Sequence, residues 1–73
     1  MTMWTCYKQD FPNGIWSLLR EDERHNEEIF HRQHGWRSSD ELSERKAAGE
    51  VDRDDIITEE KAEALIASLA TPG

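Results

Sequence analysis

The sequence predicts an α+β fold, with a three-stranded antiparallel sheet (a meander) followed by two C-terminal helices packing on one face. Three observations predict it. Residues 3–32 hold short runs of aromatic and β-branched residues, separated by turn-forming or polar stretches. Asn13-Gly14 sits between the first two runs. Near the end of the chain, Ala62, Leu65, Ile66 and Leu69 recur at i, i+3, i+4 and i+7, the spacing of one helical face.

The elements follow in order. Met3-Trp4-Thr5-Cys6-Tyr7-Lys8 suits a pleated, half-buried surface and reads as a strand. In Gln9–Gly14, Pro12 restricts φ and Asn13-Gly14 tolerates positive φ, so the chain reverses there. Ile15-Trp16-Ser17-Leu18-Leu19-Arg20 is the second strand, with Trp16 and Leu18 on one face and Ile15 and Leu19 on the other. Both of its faces are apolar, which asks for cover on both sides or leaves an exposed apolar patch. With two helices on one face, little remains for the other.

Glu21–Asn26 is a polar hexamer and reads as the second hairpin loop, with Glu27–Arg32 as the third strand. A helix over 21–34 would have only Ile29 and Phe30 to bury, so the strand is preferred. The sheet thus spans residues 3–32. Ser38-Ser39-Asp40-Glu41 has the form of a capping box and opens a helix over about 39–48. Gly49 supplies its left-handed end. Glu50–Asp55 is a charged connector, and Ile56-Ile57 leads into a helix over about 58–70. Thr58 caps that helix and Thr71-Pro72-Gly73 stops it. The order of elements is similar to that of many small bacterial or phage proteins, in layout alone.

Seventy-three residues allow one small domain. A core of this size rarely supplies more than about 3–5 kcal/mol without a staple. Cys6 is the only cysteine, so no disulfide can form within the chain. Packing, a bound metal or self-association must supply the margin, and three tryptophans, two phenylalanines and one tyrosine favour packing.

The net charge is −7. Lys8 and Arg20 against Asp10 make residues 1–20 slightly basic, while 21–50 and 51–73 are each strongly acidic. Acidic tracts repel phosphate, so direct nucleic-acid binding is not expected, whereas a basic protein surface would be attracted. Met1-Thr2-Met3-Trp4 lacks the basic and apolar regions of a secretory signal. No apolar run approaches the roughly 20 residues of a membrane span, and a cytoplasmic location is expected.

No constellation names a reaction, and the chain is expected not to be an enzyme and to need no cofactor. His25, His31, His34 and Cys6 are weak metal candidates: they offer zinc-binding atoms without the paired spacing of a zinc finger. Cys6 as a nucleophile has no local motif around it, and on an aromatic-rich strand it reads as a small buried hydrophobe. A calcium loop starting at Asp52 fails because Ile56 and Ile57 fill its fifth and sixth positions. Surface remains. Trp4, Tyr7, Trp16, Phe30 and Trp36 are the candidate partner-binding residues, with Arg20, Arg24, Arg32 and Arg37 near enough to contribute. The expected role is a small protein-interaction module, as a homo-oligomer or a subunit of an assembly. The alternatives are an acidic inhibitor or nucleic-acid mimic on a basic protein surface, or a metal-stabilised domain.

Overall fold

A computed structural model describes residues 3–70, and the expected stop at Thr71-Pro72-Gly73 lies outside them. The fold is α+β with an antiparallel sheet and two helices. In chain order the elements are β1 (Thr5–Asp10), β2 (Trp16–Glu21), β3 (Glu27–His31), β4 (Gly35–Ser38), α1 (Glu41–Ala47), β5 (Ile56–Ile57) and α2 (Glu59–Ala70). Short 3-10 turns occupy Pro12–Gly14 and Arg53–Asp55. The strand order is β4-β3-β2-β1-β5.

The sheet has five strands rather than three. Its first three form the expected meander, and two short edge strands extend it. Gly35–Ser38 pairs with β3 through Phe30 opposite Trp36. Ile56-Ile57, expected to be a lead-in to the last helix, pairs with β1 opposite Tyr7 and Cys6. Neither run is long enough to show a period of its own. Each is held by an edge that only the folded chain provides.

The turns are built by local chemistry. Asn13 and Gly14 both adopt positive φ at the first reversal. In the second loop, the Asp22 carboxylate accepts hydrogen bonds from the backbone amides of Arg24 and Asn26 and from the Asn26 side chain. Gly49, at φ +74°, ends α1: its amide donates to Lys46 O and that of Glu50 to Arg45 O. Thr58 Oγ1 accepts from the Lys61 amide and caps α2. The expected capping box of α1 does not form. Asp40 occupies the N-cap without a side-chain bond, and the Ser39 hydroxyl accepts from the Glu41 amide instead. Glu27 reaches across from β3 and accepts from the amide and hydroxyl of Ser43.

The helices lie on opposite faces, not on one. Leu18 and Leu19, both fully buried, point to opposite sides of the central strand. Leu18 joins Cys6 and Ala62 beneath α2, with Ile57, Leu65 and Ile66 and the rings of Trp4, Trp16, Phe30 and Trp36 packed around them. Leu19 joins Tyr7 and Leu42, with Ile29 and Val51, beneath α1. The short strand β5 runs along the outer edge of β1, between the segment that packs on one face and the helix that packs on the other. An apolar strand of two faces therefore has cover on both. The α1 backbone lies nearest β3 and the α2 backbone nearest β1. Ile15, expected on the same strand face as Leu19, precedes β2 and is exposed.

Candidate functional site

Strand register decides which side chains meet on the α2 face. Arg20 stands opposite Cys6 on one side and Glu28 on the other, and Trp36 stands opposite Phe30. Trp4 precedes β1 by one residue. The Arg20 guanidinium carbon lies 4.0 Å from the centre of the Trp4 ring and 4.1 Å from that of Trp36. Its Nε and Nη2 both donate to Oε1 of Glu28, at 2.8 and 2.6 Å. Trp36 meets Phe30 edge to face, with centroids 5.5 Å apart. One cation thus holds two indole rings, and a carboxylate fixes the cation. Each cation–π contact is worth about 0.5–2 kcal/mol. Trp4, Phe30 and Trp36 are half-buried on this face and pack at the margin of the Cys6, Leu18 and Ala62 core.

Trp16, also half-buried, belongs to the same face but to its other end, where Lys8 lies 5.9 Å from its ring. Leu69 of α2 joins Trp16, Leu18, Phe30 and Arg32 around a small cavity there. The structure thus gathers four of the five expected partner-binding residues on one face. Tyr7 stands apart. It is buried on the α1 face, and its hydroxyl donates to Glu21 Oε1 at 3.0 Å.

At the Trp4 end the face opens into a cleft of about 500 Å³, between the β2–β3 loop and the β4–α1 connection. Asp22, Glu27, Glu28 and Asp40 line it, with His25 contributing an imidazole. Hydrogen bonds, first that from the Asn26 side chain, hold the Asp22 carboxyl below its ordinary pKa. Asp22 accepts from the loop amides of Arg24 and Asn26, while the Glu27 carboxylate turns to α1 and accepts from Ser43.

The α1 face carries polar networks instead. Gln9 is buried; its amide donates to Glu50 O at 3.0 Å and to Asp55 Oδ2 at 3.3 Å, and its oxygen accepts from Arg45. Arg45 also donates to Glu41 at 2.7 Å and lies 5.1 Å from the Phe11 ring. Sequence reasoning missed Gln9, although it shares the strand parity of Tyr7, two residues before it. Nearby, Lys46 Nζ donates to Glu21 Oε1 at 2.6 Å. Burial by itself would raise the Glu21 pKa, but hydrogen bonds from Lys46 and Tyr7 outweigh it and lower the value.

The four metal candidates do not converge. His31 and His34 flank the β3–β4 turn with rings 6.4 Å apart. His25 lies in the loop at the other end of β3, about 15 Å away by strand rise. Cys6 is buried beneath α2. Among the described residues, no group of three or more His, Cys, Asp or Glu side chains is placed to hold a metal ion. Burial, and after it the charge of Glu59, pushes the Cys6 thiol pKa up, away from an activated thiolate. The Asp52–Asp55 run closes on itself as a 3-10 turn, with the Asp52 amide donating to Asp55 Oδ2.

No helix among the described residues is long and apolar enough to cross a membrane. No protein-family model matches the chain, and neither a curated protein nor a solved structure does.

Proposed function

We propose that this chain is a small, non-enzymatic protein-interaction module that docks through the half-buried aromatic margin of its α2 face. Trp4, Phe30 and Trp36 are the anchors and Trp16 marks the margin. The observation that supports this most is the clamp of Arg20 between Trp4 and Trp36, tied down by Glu28. It holds large, amphipathic rings in place before a partner arrives, so little side-chain entropy remains to be lost on binding. Tryptophan and arginine are the residues that dominate such contacts. The partner is a different protein, because two copies of a chain with net charge −7 repel each other.

A photo-crosslinking residue tests this. Placed at the exposed position Ser38, at the end of β4 beside Trp36, it yields a defined adduct with another protein in cells. The adduct is lost in a Trp36→Ala chain that keeps its far-ultraviolet circular dichroism. The same residue at Glu60 on α2 yields none. An adduct with a second copy of the chain, or equal labelling from both positions, overturns the reading.

A further inference from the structure

We infer that the partner supplies an extended strand, which adds to the free edge of β4 and sets a carboxylate opposite Arg37. This rests on the docking role proposed above and adds the partner's backbone form and charge. β4 is the outermost strand on its side of the sheet. The Ser39 amide donates to Glu27 O, in register with Arg37 opposite Ile29 and Trp36 opposite Phe30. Bonded and non-bonded pairs alternate in an antiparallel ladder. Gly35 and Arg37 therefore bond to β3, while the amides and carbonyls of Trp36 and Ser38 point away from it. Among the described residues, none of these four groups has a hydrogen-bond partner. The opposite edge of the sheet, β5, is two residues long.

Charge selects the occupant. Residues 29–39 hold Arg32, Arg37, His31 and His34 and no carboxylate, in a chain of net charge −7. Arg37 is exposed and pairs with no carboxylate among the described residues. Glu28, opposite Ser38, is already held by Arg20. A second copy fits badly. In the antiparallel register that uses all four outward groups, two copies would set Arg37 against Arg37. Like charges directly opposite are destabilising, whereas a glutamate or aspartate at that position is attracted. The partner residue opposite Trp36 lies on the α2 face, where an apolar side chain extends the aromatic margin. The added strand thus alternates apolar with acidic residues. Its main-chain bonds supply affinity, and its side chains supply the choice.

The test is a titration of isotope-labelled protein with two short capped peptides, one alternating valine with glutamate and one alternating valine with lysine. Amide hydrogen exchange and chemical shifts are followed. The glutamate peptide slows exchange at the Trp36 and Ser38 amides and moves the Trp36 indole, and the lysine peptide does not. Methylating the valine nitrogens of the glutamate peptide abolishes the effect, because those donors face β4. Arg37→Gln weakens the glutamate peptide about two- to five-fold, the worth of one exposed ion pair. Arg37→Glu reverses the preference towards lysine, and Arg53→Glu, at the turn before β5, leaves it unchanged. Unaltered exchange at both amides, equal binding of the methylated peptide, or an unchanged preference in Arg37→Glu overturns the inference. The crosslinking result is independent: a partner captured through Ser38 that leaves both amides exchanging at their free rates preserves the docking role while this inference fails.

Discussion

Leu18 and Leu19 are consecutive in the chain, yet they belong to two different cores, one beneath α2 and one beneath α1. With Leu42 they are the largest fully buried side chains. A two-sided central strand divides a small amount of apolar surface between two faces, so neither core is large. Half-burial of Leu65, Ile66 and Leu69 reflects the same division.

Truncating either leucine is therefore expected to be severe. Leu18→Ala and Leu19→Ala each remove buried methyl groups and leave a cavity, at about 2–5 kcal/mol. That matches the whole stability expected for a chain of this size. Urea titration followed by circular dichroism is expected to show both variants largely unfolded without denaturant. A folded Leu19→Ala protein would mean that the α1 face contributes little.

The Arg20 clamp is expected to distinguish arginine from lysine. Arg20→Lys keeps the charge but loses the planar group that stacks between two indoles and donates twice to Glu28. The expected cost is about 1–3 kcal/mol. Tryptophan emission is expected to shift to the red as Trp4 and Trp36 lose their shared partner. Unchanged emission and stability would show that the rings are held by other contacts.

Gln9 is expected to act as a structural pin. Gln9→Ala removes the amide that joins Glu50 O, Asp55 and Arg45, and leaves those groups partly unpaired. A loss of about 1–3 kcal/mol is expected, with faster hydrogen exchange at 50–57, where the turn and β5 depend on it.

The Glu21–Lys46–Tyr7 cluster makes stability depend on pH at both ends. The folded-state pKa of Glu21 is lowered, so its contribution is present above the unfolded value and is lost as pH falls through the folded one. Lys46 and Tyr7 are raised. Burial opposes the Lys46 shift, and the hydrogen bond to Glu21 overcomes it; for Tyr7, burial comes first and the bond to Glu21 second. Their contributions are full below the unfolded values and are lost as pH rises through the folded ones. Lys46→Met is expected to flatten the acid limb of a stability-against-pH curve, because it removes the strongest donor to Glu21. An acid limb identical to that of the parent would place the dependence elsewhere.

Local chemistry made part of this molecule readable. The reversal at Asn13-Gly14, the end of a helix at Gly49 and the cap at Thr58 each rest on one or two residues and their neighbours, and each is present. The aromatic candidates were readable as a set from composition, but their grouping was not. Trp4, Trp16, Phe30 and Trp36 share a face because of register, while the same register places Tyr7 on the other. The expected Ser38 cap failed because Ser38 is drawn into β4 opposite Glu28 and the Ser39 hydroxyl takes the Glu41 amide.

By itself, the sequence determined an α+β chain, its main reversals, the end of α1 at Gly49, the start of α2 at Thr58 and an apolar central strand with two faces to bury. Tertiary structure alone decided that the two helices take one face each, that Gly35–Ser38 and Ile56-Ile57 become edge strands, and that Arg20 lies between two tryptophans. The reason is range. Caps and turns are settled within a few residues by dihedral preference and nearby hydrogen bonds. The face that a helix covers, and the edge that a two-residue strand joins, depend on pairings between distant segments that exist only once the sheet has formed.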